Sequence, residues 1–200
     1  GATFEGSNQA DFNHKESLFK VTEKSSTAYN STQLSKPVKY RYIRYQAGSK
    51  QIVDLGGINL FYHGNPIFPK QVSGSEPEDI KPVSKHQYII DNDPLTYFTA
   101  KNPGGQVTLD LGEPQLIDQI VFFSHNDDNY IRPGDLYELF YNDGPNGWIS
   151  LGRQIADTVF LEYRVPDHVY LWLRNHTRGH EEQAFYIKDK EQIFPISPWW

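Results

Sequence analysis

Apolar and polar residues alternate with a period of two along much of this chain, and that spacing predicts strands. Val38 to Tyr45 runs V-K-Y-R-Y-I-R-Y, rich in β-branched and aromatic side chains. Gln106 to Leu111 places Val107, Leu109 and Leu111 on one face. Ile117 to Phe123 is apolar almost throughout, as expected of a central strand. Leu136 to Tyr141 follows, then the turn Asp143-Gly144-Pro145-Asn146-Gly147 and a return strand from Trp148 to Leu151. Val159 to Tyr163, Val169 to Leu173 and Ala184 to Ile187 complete the set. In the second of these, Val169, Leu171 and Leu173 face inward and Trp172 faces away from the main core. No amphipathic helix of about ten or more residues separates the strands, as a βαβ fold would need. The pattern predicts an all-β fold of antiparallel strands, a sandwich or a barrel.

Pro66 to Lys85 is rich in Pro, Ser, Gly, Glu and Lys and reads as a linker or long entry loop. That places a boundary near residue 65. A weak internal repeat points the same way. Phe4-Glu5-Gly6-Ser7-Asn8, Ser17-Leu18 and Tyr42-Ile43-Arg44 parallel Leu139-Phe140-Tyr141-Asn142, Ser150-Leu151 and Trp172-Leu173-Arg174. On this reading residues 1–64 are the second half of a module whose complete copy spans 65–200. Half a sandwich leaves edges and an apolar face open, so 1–64 is expected to dock on the full copy.

Composition narrows the classes. The 200 residues can bury a real core, and 14% aromatic content argues against disorder. A net charge of -6 disfavours a general nucleic-acid-binding surface. No stretch approaches the roughly 20 apolar residues that cross a bilayer. Cys is absent, which removes disulfides, thiolate metal sites and cysteine nucleophiles. Met is absent too and the chain opens Gly1-Ala2-Thr3, which reads as a processed or excised piece, with Pro198-Trp199-Trp200 read as a natural end. No H-E-x-x-H, G-x-S-x-G or phosphate-loop motif occurs, Asp127 and Asp128 are adjacent rather than opposed, and no enzyme is expected.

Several stretches resemble discoidin-like domains, the coagulation-factor C-type, galactose-binding-like family. They are Tyr40 to Tyr45 with Ile58 to Gly64, Asp91-Asn92-Asp93-Pro94-Leu95-Thr96-Tyr97-Phe98, Gln106 to Gly112 and the strand from Pro114 to Ile120. Phe122 to Leu136 and Leu173 to Phe185 resemble C-terminal modules of large secreted or surface proteins of Bacteroides-type bacteria. The resemblance covers most of 85–187 and part of 1–64. It implies a jelly-roll sandwich, a monomeric accessory module, and binding rather than catalysis. It also implies a secreted, periplasmic or outer-membrane location in a Gram-negative bacterium, usually within a glycan-degrading protein. The implied ligand is a glycan, of galactose or N-acetylhexosamine type. Other domains of the parent protein are the further expected partners, and a structural or docking module with no ligand is the alternative.

Three polar segments carry chemistry. Short acidic side chains, a hydroxyl and turn carbonyls converge in Asp91 to Thr96, the chemistry of a hard cation that takes about six to eight oxygens. In the resembled family a structural calcium is often held at this loop, and Asp91, Thr96 and Glu182 occupy the matching positions. The plainer reading is an Asx turn without metal. The matching ending in the first segment, Gly56-Gly57-Ile58, has no carboxylate and is expected to hold no calcium. The loops Ser124 to Asp135 and Arg174 to Glu182 mix donors, acceptors and rings. From them His125, Asn129, Tyr130, Arg132, His176 and Arg178 are the expected sugar contacts, with Tyr130 as the stacking face. The competing reading has these loops capping their own backbone and pairing with each other, Arg174 and Arg178 bound by Asp127, Asp128 or Glu181. Trp199 and Trp200 are either a stacking platform or a tail fastened by burial.

Overall fold

Runs of β-branched and aromatic residues become long strands joined by tight turns. The computed structural model describes residues 1–21, 28–79, 84–181 and 183–195. It divides into two compact units, Gly1–Asp128 and Asn129–Trp200. Strands run antiparallel throughout, and the helical pieces among the described residues are two 3₁₀ turns, His86–Ile90 and Gly144–Asn146. The all-β expectation holds. No helix among the described residues is long and apolar enough to cross a membrane.

The first unit contains β1 (Thr3–Ser7), β2 (Lys15–Lys20), β3 (Asn30–Gln46), β4 (Asp54–Tyr62), β5 (Asn65–Ile67), β6 (Gln71–Gly74), β7 (Phe98–Thr99) and β8 (Gln106–Ser124). The sheet order is β2-β1-β3-β8-β4-β5, with β6 on β8 and β7 on β4. The central ladder joins β3 to β8, and it is broken between Gln33 and Val38 and between Tyr40 and Tyr42. Pro37 lies in the first gap and Pro114 opposite the second, where a missing N–H costs no ladder bond. At the second gap Arg41 forks onto Asp110, Nε to Oδ1 at 2.8 Å and Nη2 to Oδ2 at 3.0 Å, and Asp110 also accepts the Gly112 amide at 2.7 Å. This staple ties the kinked strands together, and the Arg41 hydrogen bonds hold the Asp110 carboxyl below its ordinary range. One core lies under the sheet, built on Phe4, Ile43, Leu55, Leu109, Ile117 and Ile120 among others.

The boundary expected near residue 65 is a hairpin inside this sheet. Tyr62 pairs with Asn65, and His63 and Gly64 both take positive φ, 49° and 75°, as a two-residue primed turn requires. Pro66 to Lys85 was expected to be a linker, yet it supplies β5 and β6, and β6 pairs with β8. The division between compact units falls after Asp128 instead. The physical reason is β8: it hydrogen-bonds both to β3 and β4 and so binds residues on either side of position 64 into one sheet.

The second unit contains β9 (Leu136–Asn142), β10 (Trp148–Ile155), β11 (Leu171–Asn175), β12 (His180–Glu181), β13 (Tyr186–Lys188) and β14 (Glu191–Ile193). β10-β9-β11-β12 form one sheet and β13-β14 a separate hairpin. Its core is small: Leu139, Leu171 and Phe185 are buried, with Tyr141, Leu151, Tyr163, Val169 and Leu173 half-buried against them. Val159 to Tyr163 is not a strand. With Leu139, Leu171 and Leu173 of the sheet, its Val159, Phe160, Leu161 and Tyr163 line an apolar cavity of about 330 Å³. The segment covers this cavity without pairing, since a period of two does not decide whether a partner strand is present.

Candidate functional site

The outer face of the second unit's sheet gathers rings in one row and charges in the next. In register, Ser150, Phe140 and Trp172 form one row, and Arg153, Glu138 and Arg174 the row beside it. The rings of Phe140 and Trp172 are 5.5 Å apart, those of Trp148 and Trp172 5.6 Å, and the Arg174 guanidinium lies 5.2 Å from the Trp172 ring. Trp148 remains 40% exposed. Glu138 is buried and accepts from Ser150 Oγ at 2.7 Å and Arg153 Nε at 3.0 Å, and its Oε2 lies 2.6 Å from His176 Nε2. Ser150 and Arg153 are three apart, so a regular strand would turn them to opposite faces. A bulge between them, with Gly152 at φ 107°, brings both to Glu138.

Of the residues expected to contact sugar, His125, Tyr130, Arg132, His176 and Arg178 have firm partners. His125 belongs to the first unit, where it stacks on Tyr97 at 3.5 Å and its Nε2 lies 2.9 Å from Asp127 Oδ1. Asn129, Tyr130, Arg132, His176 and Arg178 belong to the second unit. The Arg132 guanidinium covers a face of the Tyr130 ring at 4.1 Å, while the Arg132 amide donates to Tyr137 Oη at 2.9 Å. Arg178 Nε donates to Asp135 Oδ2 at 2.6 Å, and Asn175 Nδ2 donates to the same oxygen at 2.8 Å. His176 joins the Glu138 cluster. Asn129 is exposed in the same loop. The partner of Arg178 is therefore Asp135, and the loops 129–135 and 174–178 are tied together by their own side chains.

The two carboxylates at this site set a pH dependence. Burial pushes the Asp135 carboxyl up, but Asn175, Arg178 and the charge of Arg132 outweigh it, and the net direction is down. Glu138 is also held down, first by the Ser150 hydrogen bond, with Arg153 and His176 overcoming the effect of burial. A carboxyl with a lowered folded value stabilises fully above its ordinary value and loses that contribution as pH falls through the folded one. The melting temperature is therefore expected to be steady from about pH 7 to 5 and to fall below about pH 4.5. Melting curves of Glu138→Gln should show a shallower acid decline, and an unchanged decline would contradict the assignment.

Asp91 and Thr96 do meet in the first unit. Thr96 Oγ1 donates to Asp91 at 2.9 Å, the Asp93 amide donates to Asp91 Oδ1 at 2.9 Å, and the Leu95 amide to Asp93 Oδ1 at 2.9 Å. Asn92 takes positive φ, 60°, which Asn tolerates where the resembled family has Gly. Glu182 lies outside the described residues, as do Trp199 and Trp200. Among the described residues no group of three or more His, Asp or Glu is placed to hold a metal. The described oxygens fall short of the six to eight or so that calcium takes, and they are spent on one another, so by themselves they do not fit a calcium cage. Asp91→Ala is expected to cost about 1 kcal/mol in chelator by freeing two donors, read from thermal melting. A calcium-dependent rise in melting temperature that Asp91→Ala abolishes would restore the metal.

Glu138, Ser150 and Arg153 were not among the residues expected to matter. The usable signal was phase: Glu138 and Phe140 share one side of their strand, and Trp172 and Arg174 share one side of theirs. No family model, curated protein or solved structure matches the chain.

Proposed function

We propose that the chain is a non-catalytic carbohydrate-binding module of a larger secreted or cell-surface protein, on a galactose-binding-like, jelly-roll-type β fold. The observation that supports this reading is the outer face of β9, β10 and β11. Trp172, Trp148 and Phe140 offer contiguous ring surface for the C–H side of a sugar. Beside it Arg153 and His176, both held by the buried Glu138, offer planar polar groups for hydroxyls. Glu138 is locked by three partners, so the polar row is pre-organised and loses little freedom on binding. The bound loops 129–135 and 174–178 act as supports beside this face rather than as the contact surface.

A glycan array followed by titration tests the reading. Affinity is expected at roughly 0.1–1 mM for a single sugar ring, since one stacking contact and a few solvent-exposed hydrogen bonds yield only about 4–5 kcal/mol. Trp172→Ala should weaken binding at least about tenfold, whereas Tyr130→Ala should leave it within about twofold. The second reading is a module that docks on a neighbouring domain of the parent protein. Phe160, 60% exposed, and Val159 and Ile187 at the rim of the apolar cavity favour it. Absence of binding to any glycan, together with binding of a neighbouring domain of the parent protein, would select docking.

A further inference from the structure

The first unit holds a polar cavity of about 600 Å³ between the β1–β2 connection and Tyr40. Its floor is an aromatic ring held in one orientation. A Cβ on Gly6 would come within 2.3 Å of Tyr40 Cδ2, 2.7 Å of Cε2 and 2.9 Å of Cγ, so the ring lies face-on over the bare backbone of β1. The phenol Oη donates to Glu16 Oε2 at 2.5 Å, which fixes the ring's rotation. One face of Tyr40 is thus against Gly6, and the half-buried residue, packed on the core, also lines the cavity.

The wall is a rigid loop. Ser7 Oγ donates to the His14 carbonyl at 2.7 Å and accepts the Gln9 amide at 3.0 Å. Phe12, buried and at φ 55°, pins the loop beneath the Arg44 guanidinium, 4.0 Å from its ring. A bulky residue at positive φ is a strained position that the surrounding packing must hold in place. The loop presents amides and an imidazole. Asn8 Oδ1 is used by the Arg41 amide at 3.0 Å, which leaves its N–H₂ group to face a ligand. Among the described residues, the side chains of Gln9 and His14 make no hydrogen bond. The charges are already committed: Lys15 is paired with Glu5 at 2.7 Å, and Glu16 with Tyr40.

A flat ring, three amide or imidazole groups without side-chain partners on their donor atoms, and charged side chains already held by neighbours select a neutral molecule with an apolar face and several hydroxyls. We infer that this cavity is a second sugar site, taking a neutral pyranose with its C–H face on Tyr40 and its hydroxyls on Asn8, Gln9 and His14. It shares its ligand class with the proposed function and rests on that reading, but it uses different residues in a different unit.

Amide chemical-shift mapping on the full chain tests it, with methyl galactoside, glucoside, mannoside and N-acetylglucosaminide as probes. Saturable shifts are expected in the Gln9–Glu16 loop, with a dissociation constant near ~1 mM. Tyr40→Ala should weaken that site at least about tenfold. Gln9→Ala and His14→Ala break no internal hydrogen bond, so their weakening of the same site separates binding from folding. Shifts confined to β9–β11 that Trp172→Ala removes and these three variants leave intact would overturn the inference and keep the proposed function. Shifts confined to the Gln9–Glu16 loop and insensitive to Trp172→Ala would keep the inference and overturn the proposed site. No shifts with any probe would overturn both.

Discussion

A chain ending at Asp128 is expected to melt in one cooperative transition, whereas a chain ending at Gly64 is expected to stay unfolded. The reason is the ladder around β8. It pairs with β3 from Asn30 to Gln46 and with β4 from Leu55 to Phe61. It also supplies Val107, Leu109, Leu111, Ile117, Ile120 and Phe122 to the core. Each such side chain contributes about 1.5–3 kcal/mol when fully buried, and a domain has only about 5–15 kcal/mol of net stability. Removing all six leaves the residues before position 65 with no means of covering their apolar face. Circular dichroism during heating decides the matter. A cooperative transition in the shorter chain, or its absence in the longer one, would contradict the unit boundary.

Phe4→Ala should lose about 3–5 kcal/mol, the largest single-residue effect expected in the chain. Phe4 is fully buried and its ring stacks on Phe19 at 4.7 Å, with Tyr45 and Phe122 each at 5.2 Å. These rings come from four strands, so the cavity left by truncation has walls that are each fixed by a different ladder and cannot close over it. Urea unfolding measures the cost, and Trp172→Ala on the half-exposed outer face supplies the contrast, at about 1 kcal/mol or less. A loss below about 1 kcal/mol for Phe4→Ala would mean that this ring cluster is not the centre of the core.

The weak repeat noted in the sequence has a structural counterpart in strand order. β2-β1-β3 and β10-β9-β11 are both three-stranded arrangements in which a central strand pairs with the next strand in the chain and with a later one. Each central strand also buries one glutamate among basic partners, Glu5 with Lys15 and Arg44, and Glu138 with Arg153 and His176. The repeated short peptides fall on these matching strands, because strand spacing is a local property. They gave no sign of the glutamates' partners, which are brought together by register.

What the amino-acid sequence determined by itself was local. Alternation at Val38–Tyr45, Gln106–Leu111 and Leu136–Tyr141 dictated strands, and the phase of Trp172 against Leu171 and Leu173 dictated an outer and an inner face. The Asp91–Thr96 turn was also legible, since its bonds link residues at most five apart. The tertiary structure decided everything that joins distant positions. It chose a hairpin at His63-Gly64 over a domain boundary, and a cover strip at Val159–Tyr163 over a strand. It also tied Arg178 to Asp135 across 43 positions, and laid Tyr40 on Gly6. Such choices depend on which edges and cavities remain once the long ladders have formed. That is a property of the assembled sheets, which no local pattern of residues encodes.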